Sequence, residues 1–225
     1  HAPMQTDPKV LDRVAQIKNP DRRDFAAMLI SLDDAVGRIL EALRENKLEE
    51  RTLVFFVSDN GGPTLQTTSS NKPLSGQKGM VYEGGIRIPY LVRWKGRLPA
   101  GKVFDDAVST MDVHATALAA AGVKLPEDPK LDGANLLSFL EGKAEGRPHE
   151  ALFWRMGPQA AARVGDWKLV MEKGEADALF DLKADIGERK NLAADQPDKV
   201  KALRAAYAEW EKGTIAAKWK RNEGK

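Results

Sequence analysis

The sequence contains no cysteine among its 225 residues. This absence excludes a disulfide framework, a cysteine-ligated zinc site, an iron–sulfur cluster and a cysteine nucleophile within these residues. Neither sign of charge is in excess, because 35 basic residues against 33 acidic ones give a net charge of +2. Such a balance argues against a nucleic-acid-binding protein. No apolar run approaches the roughly 20 residues of a membrane-spanning helix, so no membrane span is predicted.

Hydrophobic residues make up 42% of the sequence, which is enough to build a core. At about 150 residues per domain, the length corresponds to one large domain or to one and a half. The sequence opens on His1-Ala2-Pro3 rather than on methionine. It shows no basic segment followed by an apolar one, as a signal peptide would have. We therefore expect a processed or truncated product.

The first half of the sequence alternates helices with short apolar strands. Residues 1–20 hold three prolines and predict an extended loop, followed by an amphipathic helix over about 22–46. The apolar run 52–58 predicts a parallel strand covered on both faces, and a long glycine-rich loop over 59–88 follows. The remaining predictions are a strand over 89–94, a short helix over 135–140, and a helix over 112–121 with Val113, Thr116, Ala117 and Ala120 facing inward.

The character of the sequence changes near residues 146–148, and we predict a second unit from there on. Short strands separated by glycine-containing turns indicate an antiparallel meander, and an apolar stripe predicts a helix over 197–213. The four predicted strands cover 151–155, 161–164, 167–172 and 178–181. We therefore predict a first unit over 1–146 with α/β architecture and a smaller α+β unit over 147–225.

Asp59 and Asn60 stand where the strand 52–58 gives way to the loop. Ligand sites of open α/β sheets gather at the carboxyl ends of strands, and oxygen ligands of this kind suit Ca²⁺ or Mg²⁺. Asp-Asn-Gly is also a strong turn signal, so a plain turn is the alternative interpretation. Two oxygen ligands are too few for Ca²⁺, and others must come from elsewhere.

Further candidates are the lysine and histidine side chains and one pair of carboxylates. Lys78 lies between glycines, where the backbone can wrap an oxyanion that the ammonium neutralises; a solvated loop lysine is the alternative. His1 could donate a proton, or have no role. His114 is predicted to cap or pack, and His149 to lie at the surface. The pair Asp33-Asp34 could form a catalytic dyad, but mid-helix carboxylates usually serve packing or local hydrogen bonds. Asp33 is predicted to lie near the buried stripe.

Several segments together resemble the C-terminal half of type I sulfatases, in the alkaline-phosphatase-like superfamily. The most specific are Ser58-Asp59-Asn60-Gly61 and, about 20 residues later, Lys78-Gly-Met-Val-Tyr-Glu-Gly-Gly-Ile-Arg-Ile-Pro89. The other matching segments are weaker individually but stand in the order of the family: His1-Ala2-Pro3, residues 30–37, the run 52–57 before the first motif, 111–122, 163–169 and 179–192.

The resemblance implies a fold and a set of roles. The fold would be the C-terminal part of an alkaline-phosphatase-like mixed sheet flanked by helices, plus a small antiparallel sheet with a C-terminal helix. Asp59 and Asn60 match ligands of Ca²⁺, in preference to Mg²⁺. Lys78 matches the lysine that binds the sulfate group and helps protonate the leaving oxygen, and His1 a histidine that contacts the ester near the leaving group. The activity implied is hydrolysis of sulfuric esters.

The family's nucleophile is a formylglycine made from the first residue of a Cys/Ser-x-Pro-x-Arg motif, and no such motif occurs here. We therefore expect that an N-terminal half is missing, that it is a partner of this chain, and that residues 1–225 alone have no sulfatase activity. A phosphodiesterase or phosphonate hydrolase of the same superfamily and a non-catalytic pseudoenzyme module are the alternatives. The resemblance implies a sulfated small molecule or carbohydrate as substrate and a periplasmic or secreted location.

Overall fold

The computed structural model describes residues 2–125 and 131–215. The helices are α1 (Pro8–Leu11), α2 (Pro20–Glu45), α3 (Glu83–Ile86), α4 (Asp112–Ala120), α5 (Leu137–Leu140) and α6 (Pro197–Lys212). The strands are β1 (Val54–Val57), β2 (Tyr90–Arg93), β3 (Ala151–Met156), β4 (Gln159–Val164), β5 (Trp167–Glu172) and β6 (Ala178–Asp181). Within the described ranges, no helix is long and apolar enough to cross a membrane.

The long helix α2 begins where its sequence signals predict. The Asn19 side chain accepts a hydrogen bond from the backbone N–H of Arg22 at 2.8 Å, and Pro20 occupies the first turn. The extended loop predicted for residues 1–20 is wrong in part. Asp7 caps the short helix α1 by accepting from the Lys9 N–H at 3.0 Å, and a 3-10 turn follows over Asp12–Val14. Proline at a first helical turn favours a helix rather than a loop.

Strands β1 and β2 form an antiparallel pair, which corrects the prediction of a parallel strand buried on both faces. Their register runs from Val54 opposite Arg93 to Val57 opposite Tyr90. One face of the pair is open, because the cross-strand partners Phe56 and Leu91 are 38% and 57% exposed. A continuous apolar run is typical of a strand that is covered on both faces, which is why the sequence predicted one. In the structure, the face that bears Phe56 and Leu91 is left open by the described residues.

Helix α2 also carries an apolar stripe that the described residues leave open. Leu29, Leu32 and Ile39 are each about half exposed or more, and Ala27 is the buried residue of the helix. Asp33, predicted near a buried stripe, is exposed. The helical period agrees with the prediction, whereas the stripe is buried only in part: Val36 and Leu40 are half-buried and Leu29 is exposed.

The four C-terminal strands form an antiparallel sheet in the order β3-β4-β5-β6, as the meander prediction required. The strand β5 alternates its side chains between the two faces. Leu169 belongs to the core beneath α6, together with Leu203 and Tyr207, whereas Val170 packs on the opposite face with Val81 of the glycine-rich loop. Phe153 stacks on Trp210 at a centroid distance of 5.3 Å. Helix α6 and the glycine-rich loop therefore cover opposite faces of this sheet.

Helix α4 has the predicted position but a different buried face. Its buried residues are Asp112, Ala115 and Thr116, whereas Ala117, predicted to face inward, is exposed. The Thr116 hydroxyl oxygen accepts from the Leu136 N–H at 3.0 Å, which ties α4 to the segment that leads into α5. Apolar residues lie on all sides of α4, so the hydrophobic pattern does not decide which side is buried. The polar contacts of Asp112 and Thr116 decide it instead.

Candidate functional site

The turn that follows β1 is fixed by its own backbone and by the chain that leads into β2. The Ser58 N–H donates to the Pro89 carbonyl at 3.2 Å, and the Gly61 N–H donates to the Gly85 carbonyl at 2.9 Å. Within the turn, the Ser58 hydroxyl donates to the Asn60 carbonyl at 2.8 Å. The backbone on both sides of Asp59 is therefore held.

The side chains of Asp59 and Asn60 offer oxygen atoms at this turn. The Asp59 side chain has no hydrogen-bond or ion-pair partner within residues 2–125 and 131–215, and Asp59 is exposed. Asn60 is half-buried, and its Nδ2 donates to the Gly61 carbonyl at 3.0 Å, so that its Oδ1 remains available. This donor set of carboxylate and amide oxygen fits a hard cation. The described residues contain no cluster of three or more metal-binding side chains, so this pair would be part of a ligand set.

Asn71 organises the glycine-rich loop around this turn. Its Oδ1 accepts from the Gly62 N–H at 2.9 Å, and its Nδ2 donates to the Gly62 carbonyl at 2.9 Å and to the Gly76 carbonyl at 3.2 Å. An amide that bonds both backbone groups of one residue replaces a strand partner for that residue. Sequence reasoning missed Asn71, because one asparagine in a polar loop carries no distinguishing signal.

The same loop brings Lys78 to the turn. The Lys78 N–H approaches the Gly62 carbonyl at 3.5 Å, and the lysine is half-buried. The neighbouring Gln77 accepts from the Thr64 hydroxyl at 2.7 Å and from the Leu65 N–H at 3.0 Å. The structure thus brings three of the four predicted site residues into one region, whereas His1 lies outside the described residues.

Glycines make this close approach possible. A Cβ at Gly61 would lie 1.7 Å from the Gly84 carbonyl oxygen, and a Cβ at Gly85 would lie 2.1 Å from the Met80 carbonyl oxygen. Both distances are far shorter than any non-bonded contact, so a side chain at either position would force the two segments apart.

A buried charge cluster lies directly behind the glycine-rich loop. Lys168 Nζ is 2.9 Å from Glu83 Oε1 and 2.8 Å from Glu188 Oε1, and all three side chains are at most 2% exposed. Burial raises the pKa of Glu188, and the nearby Lys168 ammonium opposes that rise. Sequence reasoning missed this cluster, although a lysine inside an otherwise apolar strand was a usable signal.

A second buried carboxylate belongs to Asp112. It accepts from the Ser109 N–H at 2.7 Å and the Ala134 N–H at 2.8 Å, and His149 Nε2 lies 2.8 Å from its Oδ1. The prediction of a surface position for His149 is therefore wrong, because its side chain is 9% exposed. His114, predicted to cap or pack, is exposed.

One of the paired carboxylates of α2 joins that helix to the segment before it. Asp34 forms an ion pair with Arg13, which joins α2 to the preceding 3-10 turn. The Arg13 guanidinium lowers the pKa of Asp34 by hydrogen bonding to it. Asp34 is therefore a hydrogen-bonding group, but its partner lies 21 positions away rather than in the same helix as expected.

Comparison with known proteins gives two family matches. The chain matches the family model "Sulfatase" over residues 1–123 and the model "N-sulphoglucosamine sulphohydrolase, C-terminal" over residues 76–209. The first match covers more than half of the chain and contains Asp59, Asn60 and Lys78. The second crosses from the glycine-rich loop into α6.

Individual relatives agree with these matches. The chain is 40% identical over 131 residues to the uncharacterized sulfatase YdeN of Escherichia coli, a stretch of 58% of this chain and 23% of YdeN. The crystal structure of Ps i-CgsB in complex with k-i-k-neocarrahexaose is 32% identical with a TM-score of 0.84, over 93% of this chain and 47% of that one. The structure of BT4656 in complex with its substrate D-glucosamine-2-N,6-O-disulfate is 25% identical with a TM-score of 0.65, over 84% of this chain and 40% of that one.

The match thus spans about a quarter of YdeN and about half of the solved relatives. The mixed α/β fold, with its antiparallel C-terminal sheet and its helices, is the alkaline-phosphatase-like fold expected from the sequence. On the family match and these relatives, the chain belongs to the sulfatase family, the type I sulfatases of the alkaline-phosphatase-like superfamily.

Proposed function

We propose that the protein hydrolyses sulfate esters and that Asp59, Asn60 and Lys78 belong to its active site. The observation that carries this proposal is the joining of the Ser58–Gly62 turn to the glycine-rich loop. The Gly61 N–H bonds the Gly85 carbonyl at 2.9 Å, and the Lys78 N–H approaches the Gly62 carbonyl at 3.5 Å. These backbone contacts support the proposal that the oxygen ligands of a cation and a cationic side chain for an anion stand on two joined segments. Such an arrangement suits an anionic ester that is bound between a metal and an ammonium group.

Asp59 and Asn60 would hold a Ca²⁺ ion together with ligands from outside this pair. The Asp59 carboxylate, which has no partner among the described residues, and the amide oxygen of Asn60 support this role. Ca²⁺ binds about 6–8 oxygen atoms, which carboxylates and amide carbonyls supply. When bound, the ion would polarise the sulfate oxygens as a Lewis acid. The hydrogen bonds at Ser58 and Gly61 would fix the ligands before the ion binds.

Lys78 would bind the sulfate group and support departure of the alcohol. An ammonium group offers three donors and a full positive charge, which stabilises negative charge on the ester oxygens and can supply a proton to the leaving oxygen. The bonds of Gln77 to Thr64 and Leu65 hold the adjacent backbone. His1 would contact the ester near the leaving group, a role that rests on the resemblance alone.

The nucleophile would be a formylglycine that this chain does not supply, since the sequence has neither cysteine nor a Ser-x-Pro-x-Arg motif. We propose that an N-terminal half carries it and packs on the open apolar surface of this chain. We define that surface by Leu29, Leu32 and Ile39 of α2 and by Phe56 and Leu91 of the β1–β2 pair. Large apolar side chains that the described residues leave this exposed favour burial by another segment.

The substrate would be a sulfated carbohydrate or a smaller sulfate ester. The support comes from relatives: Ps i-CgsB is known in complex with k-i-k-neocarrahexaose, and BT4656 with its substrate D-glucosamine-2-N,6-O-disulfate. The proposed location is periplasmic or secreted, which rests on the family resemblance.

The test is hydrolysis of 4-nitrophenyl sulfate by the active form of the protein. By this we mean the chain together with the proposed N-terminal half that carries the Cys/Ser-x-Pro-x-Arg motif. We expect Lys78→Ala to lower kcat/KM about a hundredfold or more, as the removal of one oxyanion-stabilising group does. Lys72→Ala is the matched control, because Lys72 is an exposed lysine of the same loop. Chelation with EDTA should abolish turnover, and added Ca²⁺ should restore it in the wild type. The Asp59→Ala variant should need a higher Ca²⁺ concentration for half-maximal activity.

Hydrolysis of bis(4-nitrophenyl) phosphate in preference to the sulfate ester would reject the proposal in favour of phosphoryl chemistry. Absence of turnover with either ester, in a form that contains the nucleophile motif, would favour the non-catalytic module.

A further inference from the structure

Lys168 connects the C-terminal sheet to the glycine-rich loop through a completely buried charge. Its ammonium lies 2.9 Å from Glu83 Oε1 and 2.8 Å from Glu188 Oε1, and its side chain is 0% exposed. Arg87 Nη1 stands 3.7 Å from the second oxygen of Glu83 and adds a partly exposed positive charge at the edge of this buried cluster. Charges so deeply buried persist only where they are paired.

Glu83 is held through its main chain as well as its side chain. Its N–H donates to Glu188 Oε2 at 2.6 Å, so Glu188 bonds the first residue of α3 while its other oxygen faces Lys168. Glu188 adopts φ +52°, a left-handed conformation that is uncommon for a residue with a side chain. The Ser75 hydroxyl adds a second connection by donating to the Gly187 carbonyl at 2.6 Å. The residues Gly187 and Glu188 thus hold the glycine-rich loop by two hydrogen bonds.

From Glu83 the contacts continue to the turn that bears Asp59 and Asn60. The two residues after Glu83 are Gly84 and Gly85, and the Gly85 carbonyl accepts the Gly61 N–H at 2.9 Å. The Gly84 N–H donates to the Ser75 carbonyl at 2.6 Å. A Cβ on Gly85 would lie 2.5 Å from the carbonyl oxygen of Gln77, the residue before Lys78. A shift of α3 therefore displaces both groups of site residues.

We propose that Lys168 is a positioning residue, which fixes Glu83 and through it the relative placement of Lys78 and the Asp59–Asn60 turn. The effect of Lys168 on catalysis rests on the proposed function, whereas its effect on the position of the glycine-rich loop does not. Lys168→Met keeps the length of the side chain but leaves Glu83 and Glu188 buried without their cation, which is strongly unfavourable. If the ammonium holds the glycine-rich loop, that cost should fall on the loop side of the sheet. If Lys168 served packing alone, the loop would be affected no more than the rest of the sheet.

The experiment compares Lys168→Met with Lys173→Met in the active form of the protein. Lys173 is the matched control because it is an exposed lysine just after the same strand. Amide hydrogen exchange is measured for Gly61, because its N–H donates to the carbonyl of Gly85 in α3 and exchanges when that hydrogen bond opens. Leu179 and Tyr207 report the sheet and helix core on the other side of β5.

We expect Lys168→Met to accelerate exchange at Gly61 by about tenfold or more and at Leu179 and Tyr207 by less than about twofold, with no change in Lys173→Met. Equal acceleration at all three amides, or none at Gly61, would overturn the proposal. If Lys168→Met does not fold, Glu188→Gln decides, because it keeps the shape and the acceptor for the Glu83 N–H. Faster exchange at Gly61 than at Leu179 and Tyr207 in Glu188→Gln supports the proposal, and unchanged exchange at Gly61 refutes it.

A catalytic measurement separates this proposal from the proposed function. With 4-nitrophenyl sulfate, Lys168→Met should lower kcat about tenfold or more and raise the Ca²⁺ concentration for half-maximal activity, while Lys168→Arg restores part of both. Unaltered kcat and Ca²⁺ dependence in Lys168→Met would refute the catalytic consequence. A wild type without sulfate-ester turnover would reject the proposed function, and the exchange at Gly61 would still decide whether Lys168 holds the loop.

Discussion

The backbone of Gly61 lies so close to that of Gly84 that a Cβ on Gly61 would stand 1.7 Å from the Gly84 carbonyl oxygen. Gly61→Ala should therefore destabilise the fold by about 3 kcal/mol, since overpacking against backbone has no flexible side chain to yield. Gly37→Ala is the matched control, because a Cβ there meets nothing within 4 Å.

Gly37 lies inside α2, so its replacement should stabilise by about 0.5–1 kcal/mol through helix propensity. Urea unfolding measures both variants. Equal free energies of unfolding for Gly61→Ala and the wild type would contradict the tight contact.

Asp112 should be among the most sensitive polar residues of the protein. Asp112→Ala removes the acceptor for the Ser109 and Ala134 N–H groups and the partner of His149, and should cost about 3 kcal/mol or more. Asp112→Asn should cost less, because one acceptor oxygen remains.

Asp132→Ala, in the exposed part of the neighbouring loop, should stay within about 0.5 kcal/mol of the wild type by the same denaturation measurement. A larger cost for Asp132→Ala than for Asp112→Ala would show that the buried carboxylate has no special weight.

The three tyrosines should ionise above the ordinary pH range in the folded protein. Burial raises the pKa of Tyr82, Tyr90 and Tyr207, and that of Tyr90 reaches about 12 from an ordinary value of 10.0. The folded pKa lies above the unfolded one, so the stability from Tyr90 is complete below pH 10 and is lost as the pH rises through about 12. Absorbance at 295 nm of folded and urea-unfolded protein measures the difference.

Tyr90→Phe should remove part of the loss of stability at alkaline pH. Its hydroxyl is buried without a hydrogen-bond partner in the described part of the chain, so the change should cost little at neutral pH. A Tyr90→Phe protein with the alkaline unfolding profile of the wild type would contradict this assignment.

The open apolar surface should tolerate substitutions that a core does not. In the polypeptide 1–225, Leu91→Glu should change the free energy of unfolding by less than about 0.5 kcal/mol, because Leu91 is 57% exposed. Leu179→Ala, at a residue that is fully buried, should cost about 2–5 kcal/mol.

If the proposed N-terminal half packs on this surface, Leu91→Glu should weaken its association, measured by co-purification of the two separately expressed halves. Undiminished co-purification would exclude this surface as the contact.

The polypeptide 1–225 should have no turnover of 4-nitrophenyl sulfate with Ca²⁺ present. Its sequence offers no residue that could become the formylglycine, and removal of a nucleophile leaves only weak residual catalysis. The control is the same assay on a form that contains a Cys/Ser-x-Pro-x-Arg motif. Turnover by residues 1–225 at the rate of that form would reject the formylglycine mechanism.

The C-terminal unit was largely predictable because its signals are local. Turn glycines and alternating side chains indicated all four strands, and the apolar stripe of α6 indicated which side of the helix packs. Around the site, the strand preceding Asp59 and the glycine-rich loop with Lys78 were equally visible. Their chemistry followed from residue type and from the resemblance. The division at residue 146 and the roles of these site residues stay predictions.

Other features depended on groups far apart in the sequence. Whether β1 pairs parallel or antiparallel was decided by its neighbour β2, and the exposure of the α2 stripe by which segments pack on it. The buried pairs Lys168–Glu83 and His149–Asp112 join residues 85 and 37 positions apart. The sequence by itself determined most of the elements, though not the short helices α1 and α3, and the chemical types at the site, because these depend on neighbouring residues. Only the tertiary structure decided which carboxylate meets which cation, because a buried charge is stabilised by whatever folding places within about 3 Å of it.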